Sequence, residues 1–205
     1  MNQWLQWAKR IRAISQTGKA YSEDPFDLER YSELDTMAQA MIANISNLSV
    51  EEIANLYVDE SGYPTPKMDV RAGVFKDDKI LLIRETADGL WSLPGGWIDE
   101  HDAPKNSIVR EVREESGFEV SVQKLVALID RDAHGYAPKH LHRIYKLHFL
   151  CELTGGKPTT SIETSEVGFF ELTELPELSL GRVLPQDITL LWEHAQNLSL
   201  PTYFD

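Results

Sequence analysis

The stretch LPGGWIDEHDAPKNSIVREVREESGF, residues 93–118, constrains this chain more than any other. Two glycines open it, a helical pattern follows, and a third glycine closes it. At about 100° per residue, Glu111, Glu114 and Glu115 fall within one arc of about 100° on that helix. The adjacent arc is apolar and is expected to face a core; it carries Ile108, Val109 and Val112.

Carboxylates crowded on one helical face repel one another. A divalent cation removes this repulsion, and hard oxygen ligands suit Mg²⁺ or Mn²⁺, which often serve phosphate chemistry. Gly95 and Gly96 allow tight turning, so that a main-chain carbonyl there could reach the same metal. The alternative is a solvated helix whose glutamates pair with Arg110 and Arg113. The paired glycines, the apolar arc and the closing glycine together favour the metal site.

The ends of this helix can also be predicted. Asp102 is the expected N-cap, with Ala103 and Pro104 in the first turn, where a missing N–H costs little. Gly117 suits the left-handed position just past the last turn.

The stretch resembles the Nudix box, G-x5-E-x7-R-E-U-x-E-E-x-G-U, in which U is an aliphatic or bulky apolar residue. Gly96 begins the match, Arg110-Glu111-Val112 and Glu114-Glu115 form its centre, and Gly117-Phe118 end it. Asp102 stands where the family has its first glutamate. In the family that residue supports the loop and pairs with the box arginine, so the shorter carboxylate is expected to keep this role.

The resemblance implies hydrolysis of a nucleoside diphosphate linked to another moiety, with Mg²⁺ as cofactor and Mn²⁺ as a substitute. Carried over by position, the metal ligands are Glu111, Glu114, Glu115 and the Gly95 carbonyl. Arg110 would hold Glu111 by a charge-assisted hydrogen bond. Glu111, Glu115 and Arg110 are therefore the expected catalytic group.

The general base and the substrate contacts are less defined. Many family members use a glutamate from a later loop, and Glu163 and Glu166 stand in that region, where each could equally be a solvated side chain. Arg71 and Arg84 lie on strands leading toward the site and could hold phosphates or pair with surplus carboxylates. Trp97 could stack a base, shield the metals or pack the loop. Either Trp97 or Tyr136 could face a cationic substrate group such as choline.

Three histidines cluster in the loop predicted for residues 130–143: His134, His140 and His142. Their H-x5-H-x-H spacing, with no nearby cysteine, matches no common zinc site, and a surface or substrate-facing loop is expected.

Composition limits the function classes. The formal net charge of −13 argues against stable binding to nucleic acid or to anionic membranes. The single cysteine, Cys151, fits a reducing compartment, and neither a membrane span nor a signal peptide is visible. A cytoplasmic protein is expected.

The first 60 residues predict a small all-helical domain without chemical groups. The expected helices are 3–16, ended by Thr17-Gly18, then Pro25 to about Ser46, and Val50 to about Tyr57. Asp24 is the expected N-cap of the second, and Ser49 with Glu52 forms a capping box before the third. Trp4 and Trp7 are expected in a small core or a subunit interface. Residues 61–67 read as a linker, and residues 68–205 as the catalytic domain.

From Met68 the pattern changes to strands. Two apolar runs joined across Asp77-Asp78 predict a β-hairpin, and further strands are expected at 91–93, 120–129, 145–153 and 167–172. In the 145–153 strand Cys151 should face the core as an inert apolar residue, with Lys146, His148 and Glu152 facing away. A last helix is expected from Pro185 to about Asn197. The Nudix resemblance implies the same fold class, an α/β/α sandwich with a mixed sheet.

The helical extension, the TPKMDVRAGVF segment and the LPGGW box together resemble one Nudix subgroup. It includes CDP-choline and ADP-ribose pyrophosphatases, and its N-terminal domain is associated with dimers. A homodimer acting on CDP-choline or ADP-ribose is thus implied. Two alternatives remain: a hydrolase of RNA ends, acting on caps or as a 3′–5′ exonuclease, and a non-catalytic Nudix-like ligand sensor. Acidic charge weighs against the first, and the retained carboxylates weigh against the second.

Overall fold

The computed structural model describes residues 3–46, 48–55 and 62–205. Its contacts divide the chain into two compact units, Met1–Thr65 and Pro66–Asp205. Among the described residues, no helix has the length and apolar character that crossing a membrane requires.

The first unit consists of helices α1 (Gln3–Tyr21), α2 (Pro25–Ser46) and α3 (Val50–Asn55). The predicted caps are confirmed. The Asp24 carboxylate accepts hydrogen bonds from the amides of Phe26 and Asp27 at 2.9 and 3.0 Å. Ser49 and Glu52 form the reciprocal capping box, with bonds of 2.8 and 3.1 Å. The predicted end of α3 at Tyr57 lies outside the described residues.

The prediction that α1 ends at Thr17-Gly18 is wrong. The helix continues through Gly18 to Tyr21, because this glycine serves packing between helices and not termination. A Cβ atom at Gly18 would lie 2.5 Å from carbons of the Tyr31 ring on α2. A missing side chain therefore lets α1 and α2 approach closely at this point.

The two N-terminal tryptophans do not enter the core of the single chain. Trp4 is 61% exposed and Trp7 is 49% exposed, and their rings contact each other at a centroid distance of 5.1 Å. The buried side of α1 instead carries Leu5, Ala8, Arg12, Ser15 and Gln16. The predicted helix is confirmed, but its buried side includes three polar residues that an apolar pattern does not identify.

The second unit is built on a mixed sheet of seven strands, which confirms the predicted fold class. The strands are β1 (Lys67–Lys76), β2 (Lys79–Glu85), β3 (Trp91–Ser92), β4 (Phe118–Asp130), β5 (Ile144–Gly156), β6 (Thr164–Glu171) and β7 (Tyr203–Phe204). They are ordered β3-β2-β1-β5-β4-β7, and β6 pairs with β2 from Lys79 to Glu85. The pairs β1–β5 and β4–β7 are parallel, and the others are antiparallel.

Helices α4 (Pro104–Ser116) and α5 (Pro185–Gln196) belong to two separate cores. Ile108 and Val112 of α4 pack with Val70 and Leu147 in one core, and Ile188 and Leu191 of α5 pack in the other. This is the layering of an α/β/α sandwich. The predicted hairpin also forms: Asp77 and Asp78 both have positive φ angles, 51° and 60°, as a type I′ turn requires.

In strand β5, buried and exposed side chains do not alternate as predicted. Cys151 is buried as predicted, and burial raises the pKa of its thiol to about 12. Lys146 and His148 point to the opposite face, but each is only 1% exposed, because Tyr136 lies over Lys146 and Asp187 of α5 lies beside His148. The strand is therefore buried on both sides as far as Cys151. A charged side chain at a position such as 146 needs partners within the protein.

Those partners form a compact ionic group in the second unit. The Asp69 carboxylate accepts two hydrogen bonds from Arg71, at 3.1 and 2.8 Å, and one of 2.5 Å from Lys146 Nζ. Burial alone would raise the pKa of Asp69, but the charges of Arg71 and Lys146 hold it well below its usual range. One carboxylate thus compensates two buried cations.

We expect Asp69→Asn to lower the free energy of unfolding by about 3 kcal/mol or more, since it leaves two buried cations facing a neutral amide. Urea denaturation followed by circular dichroism measures this. Glu171→Gln is the matched control, because it removes the same charge from a largely exposed pair with Lys79 at 3.1 Å. It should cost less than about 1 kcal/mol. Equal losses in the two variants would contradict the role of Asp69.

Candidate active site

The glycine loop runs directly along strand β1. The amides of Val70 and Ala72 donate to the carbonyls of Gly96 and Pro94, each at 2.9 Å. Gly95 lies between them at φ 140°, and a Cβ atom there would sit 2.0 Å from the Val70 carbonyl oxygen. Only glycine permits this approach. The loop is thereby fixed against the sheet beside helix α4.

Helix α4 begins differently from the prediction. Its N-cap is Ala103, without a side-chain capping bond, and Pro104 is the first helical residue. The prediction of Asp102 as N-cap is wrong, because its carboxylate is engaged with Arg110 at 3.1 Å. Gly117 ends the helix in the left-handed conformation, as predicted. Since Ile108 and Val112 face the core, positions 111, 114 and 115 turn toward the loop and solvent.

Glu115 is the most buried of the three box glutamates, with 5% exposure. Its carboxylate accepts a hydrogen bond of 2.7 Å from the Gly95 amide. Burial raises the pKa of Glu115 to about 8, despite the opposing charge of Arg71 and the bond from Gly95. The carboxylate is therefore held in a place where its negative charge is poorly compensated by the protein.

Glu111 lies one turn earlier and is also partly buried. Burial raises the pKa of Glu111 as well, although Arg110 Nη1 lies 3.0 Å from its carboxylate. A Cβ atom on Gly96 would come within 3.2 Å of the same carboxylate, so the loop closes over it. Two acidic groups of raised pKa thus flank the glycine loop.

Arg110 contacts the remaining carboxylates at the exposed edge of the site, here called the rim. Besides Glu111, it contacts Asp99 at 3.2 Å, Asp102 at 3.1 Å and Glu114 at 3.1 Å. Asp102 therefore makes the contact with the box arginine that the resemblance implied. The Glu114 side chain is half exposed, in contrast to Glu111 and Glu115.

The three box carboxylates do not converge on one point in this structure. Among the described residues, the converged set of possible ligands is Asp99, His101 and Asp102, whose ligand atoms lie within 4.8 Å of one another. That set is at the rim, and Arg110 contacts both of its aspartates.

A pocket of about 640 Å³ collects most of the predicted site residues. Its lining includes both glycines of the loop. The lining residues expected from the sequence are Arg71, Gly95, Trp97, Arg110, Glu111, Glu115 and Glu163. Carboxylates, a main-chain turn and three guanidinium groups meet there, which suits an anionic substrate with a divalent cation. Glu114, Arg84, Glu166 and Tyr136 are not among its lining residues.

The two candidates for the general base, Glu163 and Glu166, differ in their contacts. Glu166 forms an exposed ion pair with Arg84 at 2.5 Å, and the two residues are partners in the β2–β6 ladder. Glu163 lies in the loop before β6 and lines the pocket with Glu111 and Glu115. Arg84 also donates to the Gly89 carbonyl at 2.7 Å, so it is occupied by local contacts.

Arg71 and Trp97 both lie at the pocket, whereas Tyr136 does not. Arg71 is buried and bonded to Asp69, Ser92 and the Leu93 carbonyl. Trp97 is half exposed. Tyr136 is 1% exposed and donates a hydrogen bond of 2.7 Å to Asp187, so it cannot face a substrate cation in this structure.

The histidine loop shows no zinc arrangement among the described residues. His134 pairs with Asp205 at 3.1 Å. The rings of His140 and His142 lie 5.5 Å apart, and His140 also lies 6.0 Å from Trp97. This loop begins with a short 3₁₀ turn, Arg131–Ala133.

Glu85 and Arg182 are among the pocket residues that the sequence did not predict. Burial raises the pKa of Glu85, and Arg182 Nε lies 3.1 Å from its carboxylate. The strand period could have identified Glu85, since it must point to the face opposite Arg84. Arg182 carries no such signal, because it lies in the irregular segment before α5.

Two family models match the chain. One described as the NUDIX domain matches residues 66–190, and one described as a UDP-X-like, N-terminal oligomerisation domain matches residues 2–57. A putative ADP-ribose pyrophosphatase of Bacillus subtilis is 42% identical over 202 residues, which cover 98% of this chain and 97% of the relative.

Solved structures give the same result. The crystal structure of an ADP-ribose pyrophosphatase from Streptococcus suis is 42% identical with a TM-score of 0.64, and covers 69% of this chain and 100% of that one. The crystal structure of a UDP-X diphosphatase is 34% identical with a TM-score of 0.64, over 98% of both chains. The family model over the second unit and the full-length relative agree with the loop-and-helix geometry, and the chain therefore belongs to the Nudix hydrolase family.

Proposed function

We propose that this Nudix hydrolase cleaves the pyrophosphate bond of a nucleoside diphosphate linked to another moiety, with Mg²⁺ or Mn²⁺. We propose ADP-ribose as its preferred substrate. The observation that carries the proposal is the meeting of Glu111, Glu115 and the glycine loop with Arg71 in one pocket. The names of the similar proteins support ADP-ribose, and one supports a UDP-linked substrate as the second candidate.

CDP-choline is less well supported than the subgroup resemblance suggested. A choline cation would enter a pocket lined by the guanidinium groups of Arg71, Arg110 and Arg182. Of the two aromatic side chains that could face it, Tyr136 is buried. The carboxylates of the pocket outnumber these cations, so charge alone does not separate the two substrates, and the names of the similar proteins place ADP-ribose first.

The donor set fits a hard divalent cation. Glu111 and Glu115 offer carboxylate oxygens beside the Gly95 main chain, and both have pKa values raised by burial. Such a pair is stabilised when a cation balances its charge. Glu111, Glu115, Glu114 and the Gly95 carbonyl are the groups that would hold it. When bound, the metal supplies charge neutralisation for the phosphoryl oxygens and a lower pKa for water.

The chain's own residues supply positioning and proton transfer. Arg110 holds Glu111 in place, and Arg71 and Arg182 offer cations to the diphosphate. The Glu163 carboxylate accepts the proton from the attacking water. The new oxygen–phosphorus bond forms as the bridging oxygen leaves, so that ADP-ribose gives AMP and ribose 5-phosphate.

The two alternatives fit less well. A long RNA requires a basic track, and the chain carries a net charge of −13. A non-catalytic sensor would not need Glu111, Glu114 and Glu115, all of which are retained. We therefore propose a small-molecule nucleotide substrate, without a stable nucleic-acid or membrane partner. The cytoplasmic location inferred from the single cysteine remains a prediction.

We further infer that the first unit forms a homodimer interface. Trp4, Trp7 and Ile14 recur at helical spacing on α1 and remain exposed in the single chain. The matching N-terminal family model carries an oligomerisation description. Burial against a second copy would remove this apolar surface from water.

Metal dependence gives the first functional test. With excess chelator, hydrolysis of ADP-ribose should fall to background, and Mg²⁺ or Mn²⁺ should restore it. The same metals should raise the melting temperature, since they bind the folded state only. UDP-glucose, CDP-choline, ATP and capped RNA complete the assay, and chromatographic separation of the nucleotide products is the readout. Unchanged activity and melting temperature in chelator, or a preference for ATP or RNA, would refute the proposal.

The general base can be tested with a pair of matched variants. Glu163→Gln should lower kcat for ADP-ribose by about 100-fold or more, because it removes the proton acceptor at the pocket. Glu166→Gln makes the same change outside the pocket and should stay within about threefold of the wild type. Steady-state kinetics with Mg²⁺ measures both. The reverse order would assign the base to Glu166.

The dimer proposal has its own test on the full chain. Light scattering should show a dimer at micromolar concentration, and the double change Trp4→Gln with Trp7→Gln should shift it toward monomer. Phe204→Ser removes an exposed aromatic from the second unit and serves as control. A wild-type monomer, or a double variant that remains dimeric, would rule out this interface.

A further inference from the structure

A second cavity, of about 290 Å³, adjoins the proposed diphosphate pocket. The two share Arg71, Gly96, Trp97 and Arg182 in their linings. One carboxylate, that of Asp69, contributes to the second cavity, together with five cationic side chains. These are Arg71, Arg131, Lys139, Lys146 and Arg182. A group of cations is unexpected in a chain of net charge −13.

Arg131, which lines this cavity, carries a donor without an acceptor in the described part of the chain. The residue is buried, and one face of its guanidinium lies over the Tyr136 ring at 5.6 Å. Its Nε and Nη2 atoms donate to the main-chain carbonyls of Gly181 and Pro138. Its Nη1 atom is buried and has no hydrogen-bond acceptor among the residues that the structure describes. Such a donor is costly unless a ligand satisfies it.

The acceptors nearby are already used. Both oxygens of Asp69 accept bonds from Arg71, and one also accepts from Lys146. Burial lowers the pKa of Lys146 to about 8, since this single shared carboxylate compensates it only in part. Lys139 is exposed at the cavity and donates to the His134 carbonyl at 3.1 Å. The cavity therefore offers more donors than acceptors.

Acidic side chains also act on these cations. Arg182 is paired with Glu85 and Asp88, and the carboxylate of Asp132 lies close enough to Arg131 to influence its charge. For Arg131 and Lys139, however, the hydrogen bonds described above all go to main-chain carbonyls. These two side chains are therefore the cations best able to bind an oxyanion.

We propose that this cavity is an oxyanion subsite, which takes a phosphate or carboxylate group outside the scissile diphosphate. The Arg131 guanidinium and the Lys139 ammonium are its donors, and Lys146 belongs to the same lining. The group is either part of the substrate, on its nucleoside or its second moiety, or a free phosphate ion. The substrate-borne form rests on the proposed function, because it requires the diphosphate to lie in the neighbouring pocket.

Equilibrium binding to the full chain in excess chelator tests the subsite without turnover. Calorimetry compares ADP-ribose with ADP-ribose 2′-phosphate, in which the added anion lies on the nucleoside. It also compares UDP-glucose with UDP-glucuronate, in which the added anion lies on the second moiety. Inorganic phosphate is the third probe. Lys139→Gln is the main variant, since Arg131 also holds the Gly181 and Pro138 carbonyls and its loss could unfold the loop. Lys76→Gln, at the exposed end of β1, is the matched control.

For at least one pair, the added anion should tighten binding to the wild type by about tenfold or more, as expected for a charge-assisted contact. Lys139→Gln should remove most of this gain and leave the affinity for the plain partner nearly unchanged, while Lys76→Gln changes neither. Lys139-dependent binding of phosphate without a preference within either pair would assign the subsite to the free ion.

Equal affinities within both pairs and no Lys139-dependent phosphate binding would overturn the proposal, as would equal losses in both lysine variants. Failure of the proposed function is a separate result. It would appear as absence of hydrolysis with metal, whereas the binding measurements contain no hydrolysis step.

Discussion

The hydrogen bond from the Gly95 amide to the Glu115 carboxylate is the contact on which the site depends. It joins a loop that only glycine can place against β1 to a helix whose opposite face is buried in the core. Either element alone would leave the glutamates on an ordinary solvated helix. Together they place a carboxylate where burial raises its pKa to about 8. Burial makes the ionised carboxylate unfavourable unless a cation balances its charge. This geometry therefore favours metal-dependent chemistry.

A second constraint is the ionic group of Asp69, Arg71 and Lys146, which lies in the sheet beneath the loop. It keeps Arg71 fixed, so that one guanidinium faces both the diphosphate pocket and the adjoining cavity. The acidic protein thereby presents a small region of cationic donors next to its carboxylates. Opposite charges at short separation suit a substrate whose phosphates need both a cation and hydrogen-bond donors.

Local patterns predicted much of this molecule because they depend on neighbours in the sequence. The capping box of Ser49, the hairpin at Asp77-Asp78, the left-handed Gly117 and the arc of Glu111 and Glu115 all follow from local geometry. Predictions failed where tertiary contacts decided the outcome. Gly18 stays helical because it packs against Tyr31, Asp102 pairs with Arg110 instead of capping the helix, and Lys146 is buried beside Asp69 and Tyr136. Glu163 and Glu166 could not be distinguished from sequence, since their difference lies in cross-strand pairing with Arg84.

The most direct measurement of the central claim is metal binding and turnover in Glu111→Gln, which keeps the shape of the side chain and removes one charge. Calorimetry with Mn²⁺ should show weakened binding, and kcat for ADP-ribose should fall by about 100-fold or more. Glu119→Gln, an exposed glutamate at the start of β4, is the control and should behave as the wild type. A Glu111→Gln protein that binds Mn²⁺ normally and retains kcat within about threefold of the wild type would contradict the assignment of the metal site to this helix.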